Sequence, residues 1–449
     1  MSNSIKIRKG LDLRLVGDVS GNDVVCAGAA NRYAVFPEDY YGIVPKLAKK
    51  EGDTVCAGER VLYDKNNENI AIVSPVAGTV ARVVRGERRK ILRVEIEADH
   101  SDGHSMFDAG ADASADEIRL TLQRSGLWAF MRQRPYDVVP DAGKAAVPRD
   151  IFVTAFDSAP LASAYTLLNN NTSFFEKGIA VLAKLTPGKV YVCCREDSVV
   201  ETPHSETFVV KGPHPAGNAG VQIANIKPVN KGEIVWTLDA DTVVRIGHLF
   251  TKGYVDFSCI VAVTGECVKS PALLKAVAGM PFEVLLKDNL TECVDKCRII
   301  SGNVLTGMKE SIDGYLHFPF RQVTVIPENS RESEFMGWAS LSLKKYSFSH
   351  CFFSWLEGKN KKYHFDARIN GSERAIIMAG EYDKVLPMDI YSEYLIKAIL
   401  AKDIDKMEQL GIYEVAPEDF ALCEFIDTSK LELQKIVREG LDYLRKEMN

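Results

Sequence analysis

Gly212-Pro-His-Pro-Ala-Gly-Asn-Ala-Gly220 is the stretch around which the chain is most informative. Its three glycines, Gly212, Gly217 and Gly220, permit positive φ or close backbone approach. Pro213 and Pro215 each fix φ and remove an amide donor. A strand-like run at 207–210 enters the loop, and a short apolar run at 221–223 leaves it. Such a loop presents backbone N–H groups and the His214 ring. The spacing Gly-x4-Gly-x2-Gly is neither the dinucleotide fingerprint nor a P-loop, because no Gly-Lys-Ser/Thr follows. Two readings stay open: an irregular crossover whose glycines serve backbone geometry, and a binding loop.

Outward from the loop, strand-like runs recur at 151–155, 190–194, 208–210, 234–238 and 243–246, with helix-compatible segments such as 174–185 between some of them. That alternation predicts an α/β layer with a largely parallel sheet. Upstream, 42–96 consists of short strands and turns. Lys50-Glu-Gly-Asp-Thr-Val-Cys-Ala-Gly-Glu59 and Ser74-Pro-Val-Ala-Gly-Thr-Val80 resemble the biotinyl/lipoyl barrel-sandwich fold. In such carriers a modified lysine sits on a hairpin. Lys65 is the only candidate here, and it is expected to be unmodified. Residues 98–115, with His100 and His104, read as a linker, and Asp116 is a candidate cap for a helix at 117–124. Downstream, a strand at 258–263, a short helix at 271–278 and strand pieces at 282–286 and 304–305 suggest a β-grasp module. Beyond 331 the chain begins irregularly and turns helical, at 390–400, 403–410, 417–425 and 430–446, with Gly411 a stop signal. The last helix opens on a Ser429/Glu432 capping box. Its stripe of Leu433, Ile436, Val437, Leu441 and Leu444 is core-facing.

Length and composition set limits. A chain of 449 residues is too long for one core, so about three or four domains are expected. No apolar run approaches the ~20 residues of a membrane helix, and the N-terminal Met1-Ser-Asn-Ser-Ile lacks the apolar region of a signal peptide. A net charge of −6 argues against nucleic acid and against anionic lipid as direct partners. The ten cysteines include no Cys-x2-Cys, which predicts reduced thiols and no metal or iron–sulfur centre.

The order of units, with their motifs, resembles the A subunit of the bacterial sodium-translocating NADH:quinone reductase family over nearly the whole chain. The carrying residues are Ser74-Pro-Val-Ala-Gly-Thr-Val80 with Arg85, Gly86 and Arg89; Ser125-Gly-Leu-Trp128 with Arg132-Gln-Arg-Pro-Tyr136; and Ile151-Phe-Val-Thr-Ala-Phe-Asp157 with Ser158 to Ala162. The loop at 212–220 continues the match, followed by Ile246-Gly-His-Leu-Phe250, Ile300-Ser-Gly-Asn303, Phe335-Met-Gly-Trp338, Gly380-Glu-Tyr-Asp383 and Glu418-Asp-Phe-Ala-Leu-Cys423. The same architecture resembles the NADH-binding subunit of complex I, but the cluster cysteines and the glycine-rich nucleotide loop of that subunit are missing here. After Cys423 the chain also departs from a second cysteine and Pro-Gly associated with the family.

The resemblance implies four domains. They are an N-terminal extension with a barrel-sandwich hybrid (1–100), a Rossmann-like α/β domain (101–255), a β-grasp, SLBB-like domain (256–330) and a C-terminal helical domain (331–449). It implies a peripheral subunit on the cytoplasmic face of the bacterial inner membrane, in a respiratory, sodium-transporting translocase that oxidises NADH. Its partners would be the membrane-embedded subunits, especially the B subunit, and quinone. No covalent cofactor is expected, and the isolated chain is expected to be inactive. A quinone head needs a stacking slot and donors to its carbonyls. Phe36 and Tyr40, Arg134 and Tyr136, and the loop residues Gly212, His214, Gly217 and Gly220 are the candidates. The rival readings for these residues are interdomain packing, a salt bridge pinning the Pro135 turn and a loop-internal hydrogen bond. The alternative for the whole chain is a purely structural docking role, with quinone held by the membrane subunits. A lipoyl-type carrier and an NADH-binding flavoprotein module are disfavoured by the poor match around Lys65 and by the missing nucleotide and cluster motifs.

Overall fold

Apolar runs that do not alternate suit strands covered on both faces, and the middle of the chain has several. Asp150–Thr154, Val190–Cys194 and Val235–Asp239 are buried almost throughout. With Glu206–Lys211 they form the parallel centre of a six-stranded sheet, closed on one edge by an antiparallel strand, Arg132–Arg134. The structure is a computed structural model and describes residues 3–448 apart from 109, 111–112, 143–146, 165, 329–341 and 359. Met1, Ser2 and the Phe335 to Trp338 motif lie outside the described residues.

Helices Thr172–Ala183 and Ala240–Lys252 pack together beside this sheet. The run at 243–246, which reads as a strand from its β-branched residues, belongs to the second of these helices. Its ends explain why. The Asp239 carboxylate accepts the Thr242 N–H at 2.7 Å, and Gly253, at φ +81°, donates its N–H to Leu249 O at 2.8 Å. Burial all round the helix overrides the weak preference of Val243 and Val244 against helix. The two helices touch through glycines. A Cβ on Gly178 would stand 2.2 Å from Val243 O, and one on Gly247 would stand 1.7 Å from Phe174 O. The apolar run at 221–223 is likewise helical, within Ala219–Ile226.

The barrel-sandwich unit holds a four-stranded sheet (Arg32–Val35, Ile91–Ala98, Gly78–Arg85, Thr54–Val55) and a three-stranded one (Pro45–Leu47, Arg60–Asp64, Ala71–Val73). Lys65 is exposed at the start of the hairpin after Arg60–Asp64. The helix Ala115–Arg124 is capped by Ser114, in a capping box with Glu117, rather than by Asp116.

The third unit is a second six-stranded sheet, ordered Met308–Glu310, Cys297–Ser301, Gln322–Pro327, Ser258–Thr264, Ala272–Val277, Val24–Cys26. Two expectations invert here. The segment at 271–278 is not a helix but the strand Ala272–Val277, antiparallel to Ser258–Thr264. The segment at 282–286 is not a strand but the short helix Phe282–Leu285. Residues 304–305 lie in a turn, where Asn303 accepts the Leu305 N–H at 2.8 Å. The helical tail includes Ser392–Leu400, Ile404–Gln409, Ala421–Ile426 and Leu433–Met448. The last helix opens at Leu433, not at 430. Lys430 has φ +56°, and Ser429 Oγ donates to Ala375 O, so no Ser429/Glu432 box forms. Leu433, Val437, Leu441 and Leu444 of the expected stripe are fully buried.

The N-terminal leader ties the units together. Asn3–Lys6 adds a parallel edge strand to the α/β sheet, against Phe208 to Lys211. Val24–Cys26 adds an edge strand to the third sheet.

Gly247→Ala tests the helix crossing. Helix propensity alone favours Ala by about 1 kcal/mol, but the contact with Phe174 O forces the helices apart. We expect a net loss of about 1–3 kcal/mol in chemical denaturation, and a rise in stability would refute the close crossing.

Candidate functional site

The candidate residues fall into two groups, both at junctions between units. The first is aromatic. Phe36 precedes the short 3-10 turn Pro37–Asp39 and stacks on His317, with centroids 3.8 Å apart at 28°. Tyr40 stacks on Phe318 at 5.5 Å, and Phe318 on Phe130 at 4.1 Å. The space left among them is about 20 Å³, room for about one water molecule rather than a ring.

His317 locks this junction. It is 1% exposed, its Nδ1 lies 2.7 Å from Asp39 Oδ1, and its Nε2 lies 3.1 Å from Glu310 Oε1. With a carboxylate at each nitrogen the ring is an imidazolium donating twice. Burial pulls its pKa down, but Asp39 and Glu310 outweigh that and hold it at about 9. Burial also pushes the Asp39 carboxyl upward. We nevertheless assign it as ionised, because Oδ1 faces the imidazolium and Oδ2 accepts the Phe318 N–H at 2.9 Å. Arg132, on the edge strand of the α/β sheet, donates to Asp39 O at 2.8 Å, so three units meet at this turn.

The second group lies two residues along the same edge strand. Arg134 is 3% exposed. Its Nη2 donates to Glu418 Oε1 at 2.9 Å, its Nη1 lies 3.6 Å from Asp419 Oδ2, and its Nε lies 3.5 Å from Asp137 Oδ1. Three carboxylates around one guanidinium hold the Arg134 pKa up, although burial opposes them. Asp419 is fully buried, and that burial pushes its carboxyl upward against the pull of Arg134. Burial pushes Glu418 up to about 7, ahead of Arg134. Its side chain still exposes 41% of its surface, so we assign no stability to that shift.

The glycine loop abuts this ion cluster. A Cβ on Gly220 would stand 2.2 Å from Asp419 Oδ2, and Asn218 Nδ2 donates to Glu418 O at 3.1 Å. Gly212, at φ +134°, lies against Ile7 O, and Gly217 donates its N–H to Ser158 Oγ at 2.8 Å. That hydroxyl is 3.0 Å from His214 Nδ1. Ser158 Oγ accepts from Gly217 and its own proton has no other acceptor among the described residues, so we assign that proton to Nδ1, which leaves the ring hydrogen on Nε2. His214 is 4% exposed, and its Nε2 has no partner among the described residues. Burial lowers its pKa to about 4, against Asp157 and Asp12, so the ring is neutral at neutral pH. Tyr136 is half-buried nearby, and its carbonyl accepts from Arg438 Nη2 at 2.7 Å. Arg438 in turn lies over the Tyr41 ring and pairs with Asp442.

The structure thus brings Arg134 and Gly220 together through Asp419, while Gly217 and His214 meet at Ser158 and Tyr136 follows Arg134 by two residues. Phe36 and Tyr40 sit in the other group. Among the described residues, no hydrogen bond or ring contact joins either of them to His214. Sequence reasoning missed His317, Asp39, Ser158, Asp419 and Arg438. Glu418-Asp419 and Ser158 lay inside family-like motifs and Asp39 beside Tyr40, but nothing in the sequence showed what each would contact. Among the described residues no group of three or more His, Cys, Asp or Glu is placed to hold a metal ion, and no helix is long and apolar enough to cross a membrane.

A barrel-sandwich hybrid, an α/β layer and an SLBB-type sheet, joined by buried ion pairs and followed by a helical tail, define a multidomain protein. Family models described as the NqrA N-terminal barrel-sandwich hybrid domain, the NqrA second alpha/beta domain and the NQRA C-terminal domain match residues 5–99, 113–255 and 260–311. Proteins named as the A subunit of Na(+)-translocating NADH-quinone reductase are similar along their whole length. That of Pasteurella multocida is 35% identical, covering 99% of this chain and 100% of the relative. That of Saccharophagus degradans is 37% identical, with the same coverage of both chains. That of Neisseria meningitidis serogroup C is 34% identical, again at 99% and 100%. The chain belongs to the NqrA family, the A subunits of Na(+)-translocating NADH-quinone reductase.

Each junction can be tested by its response to pH. Arg134→Met leaves Asp419 buried without its cation, which costs about 3 kcal/mol in urea denaturation at pH 8. The loss is smaller at pH 5, where the unpaired carboxyl takes a proton. Equal losses at both pH values would mean that the ion cluster does not carry the effect. His317 gives the opposite pH sense. Its folded pKa of about 9 lies above the ordinary 6.5, so its contribution is full below pH 6.5 and is lost as pH rises through 9. The shift corresponds to about 3–4 kcal/mol. His317→Gln should therefore flatten the fall in stability between about pH 6 and pH 9.5, and an unchanged slope would exclude an imidazolium.

Proposed function

We propose that this chain is the peripheral subunit, on the cytoplasmic face of the bacterial inner membrane, of a respiratory sodium-translocating NADH:quinone oxidoreductase. It contributes to quinone binding and reduction and to assembly with the membrane-embedded subunits, the B subunit above all. It brings no redox cofactor of its own. The observation that carries this reading is the full-length likeness to proteins of that name, 35% over 454 aligned positions.

Within that role the quinone head is assigned to the loop at 212–220. A quinone carbonyl is an acceptor, and the Nε2–H of a neutral, buried His214 is a donor without a partner among the described residues. An unpaired buried donor carries a desolvation cost that a ligand oxygen removes. The second reading, a docking role only, is favoured by a different observation. Arg134 is enclosed by three carboxylates and donates to Glu418, and Phe36 is stacked on His317, so neither meets a ligand without rearrangement.

His214→Asn separates the two. Asparagine keeps a partner for Ser158 at the Nδ1 position and removes the Nε2 donor. Fluorescence titration with a short-chain ubiquinone, on the isolated chain and on the reconstituted complex, should show roughly tenfold weaker binding in the variant. Its melting temperature should stay close to wild type. Unchanged affinity in both preparations, with folding intact, assigns the quinone to the membrane subunits and leaves docking as the role.

A further inference from the structure

A further cavity lies away from both junctions. It holds about 340 Å³, between the helix Ala240–Lys252 and the edge of the third sheet formed by Val24–Cys26 and Ala272–Val277. That volume is at the lower end of small-molecule sites. Its apolar side includes Val24, Phe174 and Ile260, and its polar side includes Arg245, His248 and Lys275.

Two features of this polar side, Arg245 and Lys275, point to one ligand chemistry. Arg245 is 6% exposed and donates through Nη2 to Ser258 O at 3.0 Å, but its Nε has no acceptor among the described residues. Lys275 is exposed on its strand and makes no ion pair among the described residues. His248 Nδ1 faces Tyr254 O at 3.1 Å and, the carbonyl being an acceptor, carries the hydrogen. The lining therefore presents two cations against one carboxylate, Asp256, which already accepts the Ser258 N–H. Behind Arg245, Asp239 caps the helix, and Asp241 pairs with Arg321 at 3.2 Å. Asp239 is buried and held ionised against that burial by Arg321 and by Arg245 itself, through their charges.

We propose that this cavity is a binding site for a small organic anion, a carboxylate or phosphate monoester on an aryl or short apolar body. One oxygen takes the orphaned Arg245 Nε–H and another meets Lys275, while the body lies against Phe174 and Val24. An oxyanion suits this arrangement because a donor in low dielectric gains most from a charged acceptor. The site is distinct from the His214 loop and does not depend on where quinone binds.

The test uses the full chain with benzoate, phenyl phosphate and neutral benzamide, read by titration calorimetry and thermal shift. Saturable binding of benzoate or phenyl phosphate at about 1 mM or tighter is expected, with benzamide at least roughly tenfold weaker. Preference between the two anions assigns carboxylate or phosphate as the natural group. Lys275→Gln, an exposed change, should weaken anion binding roughly fivefold to tenfold. Val24→Trp, which fills the cavity from the edge strand, should abolish it. Arg245→Met should do the same, and if that variant fails to fold the other two decide. The proposal is overturned if neither anion binds, if benzamide binds as well as benzoate, or if the Val24→Trp protein binds as wild type does.

Discussion

The guanidinium of Arg134 is the charge around which the two ends of the chain are arranged. It is buried on an edge strand, and its partners Glu418 and Asp419 come from the helical tail, 284 and 285 residues on. A buried cation is tolerable only when its neighbours supply both charge and hydrogen bonds, so the tail must dock where it does. Asp419 is then held against Gly220, a position with no room for a Cβ. The glycine loop, the edge strand and the tail are thus one interlocked contact, and none of the three can move far without exposing the others.

The second junction uses the same physics with a titratable cation. His317, between Asp39 and Glu310, joins the third sheet to the 3-10 turn after the first barrel strand, and Phe36 lies flat on the charged ring. Burial alone would neutralise an imidazole. Two carboxylates reverse the sign, so the barrel-sandwich unit is fastened by a group whose charge persists through neutral pH. His214 shows the contrast. It is buried to a similar degree, but only more distant carboxylates, Asp12 and Asp157, act on it, and there the desolvation wins.

How far the sequence could reveal this depended on range. The α/β layer was readable because continuous apolar runs alternate with helical segments, and the barrel-sandwich unit because its turn glycines recur in a pattern. The errors came where one apolar segment suits either state. Val243 to Ile246 favour a strand locally, yet the Asp239 cap and Gly253 stop enclose them in a helix. The segment at 271–278 has helical composition, but Ser258–Thr264 offers it a paired edge. No local signal could assign Asn3–Lys6 to a sheet whose partner strand lies about 200 residues away, nor predict that Val24–Cys26 would edge another. Within the candidate site, Arg134 and the glycine loop stood out as motifs, whereas the carboxylates that confine them did not. Their pairing exists only after the tail has folded back.

Of the buried nitrogens without a hydrogen-bond partner among the described residues, which also include Arg134 Nε and Nη1 and Trp236 Nε1, His214 Nε2 and Arg245 Nε border the two proposed ligand sites. Folding ordinarily leaves few buried donors unsatisfied, because each costs roughly 1–3 kcal/mol. Other buried groups meet the demand: Asp39 uses both oxygens, and Trp128 Nε1 donates to Pro140 O at 2.8 Å. His214 and Arg245 differ in setting. His214 stands in a tightly held loop beside the Asp419 contact, whereas Arg245 lines an open cavity with a second cation at its rim. A neutral donor in a narrow place suits a neutral acceptor such as a carbonyl. A charged donor in a roomy place suits an anion. The chain therefore separates two recognition chemistries across its α/β layer, one next to the tail and one next to the third sheet.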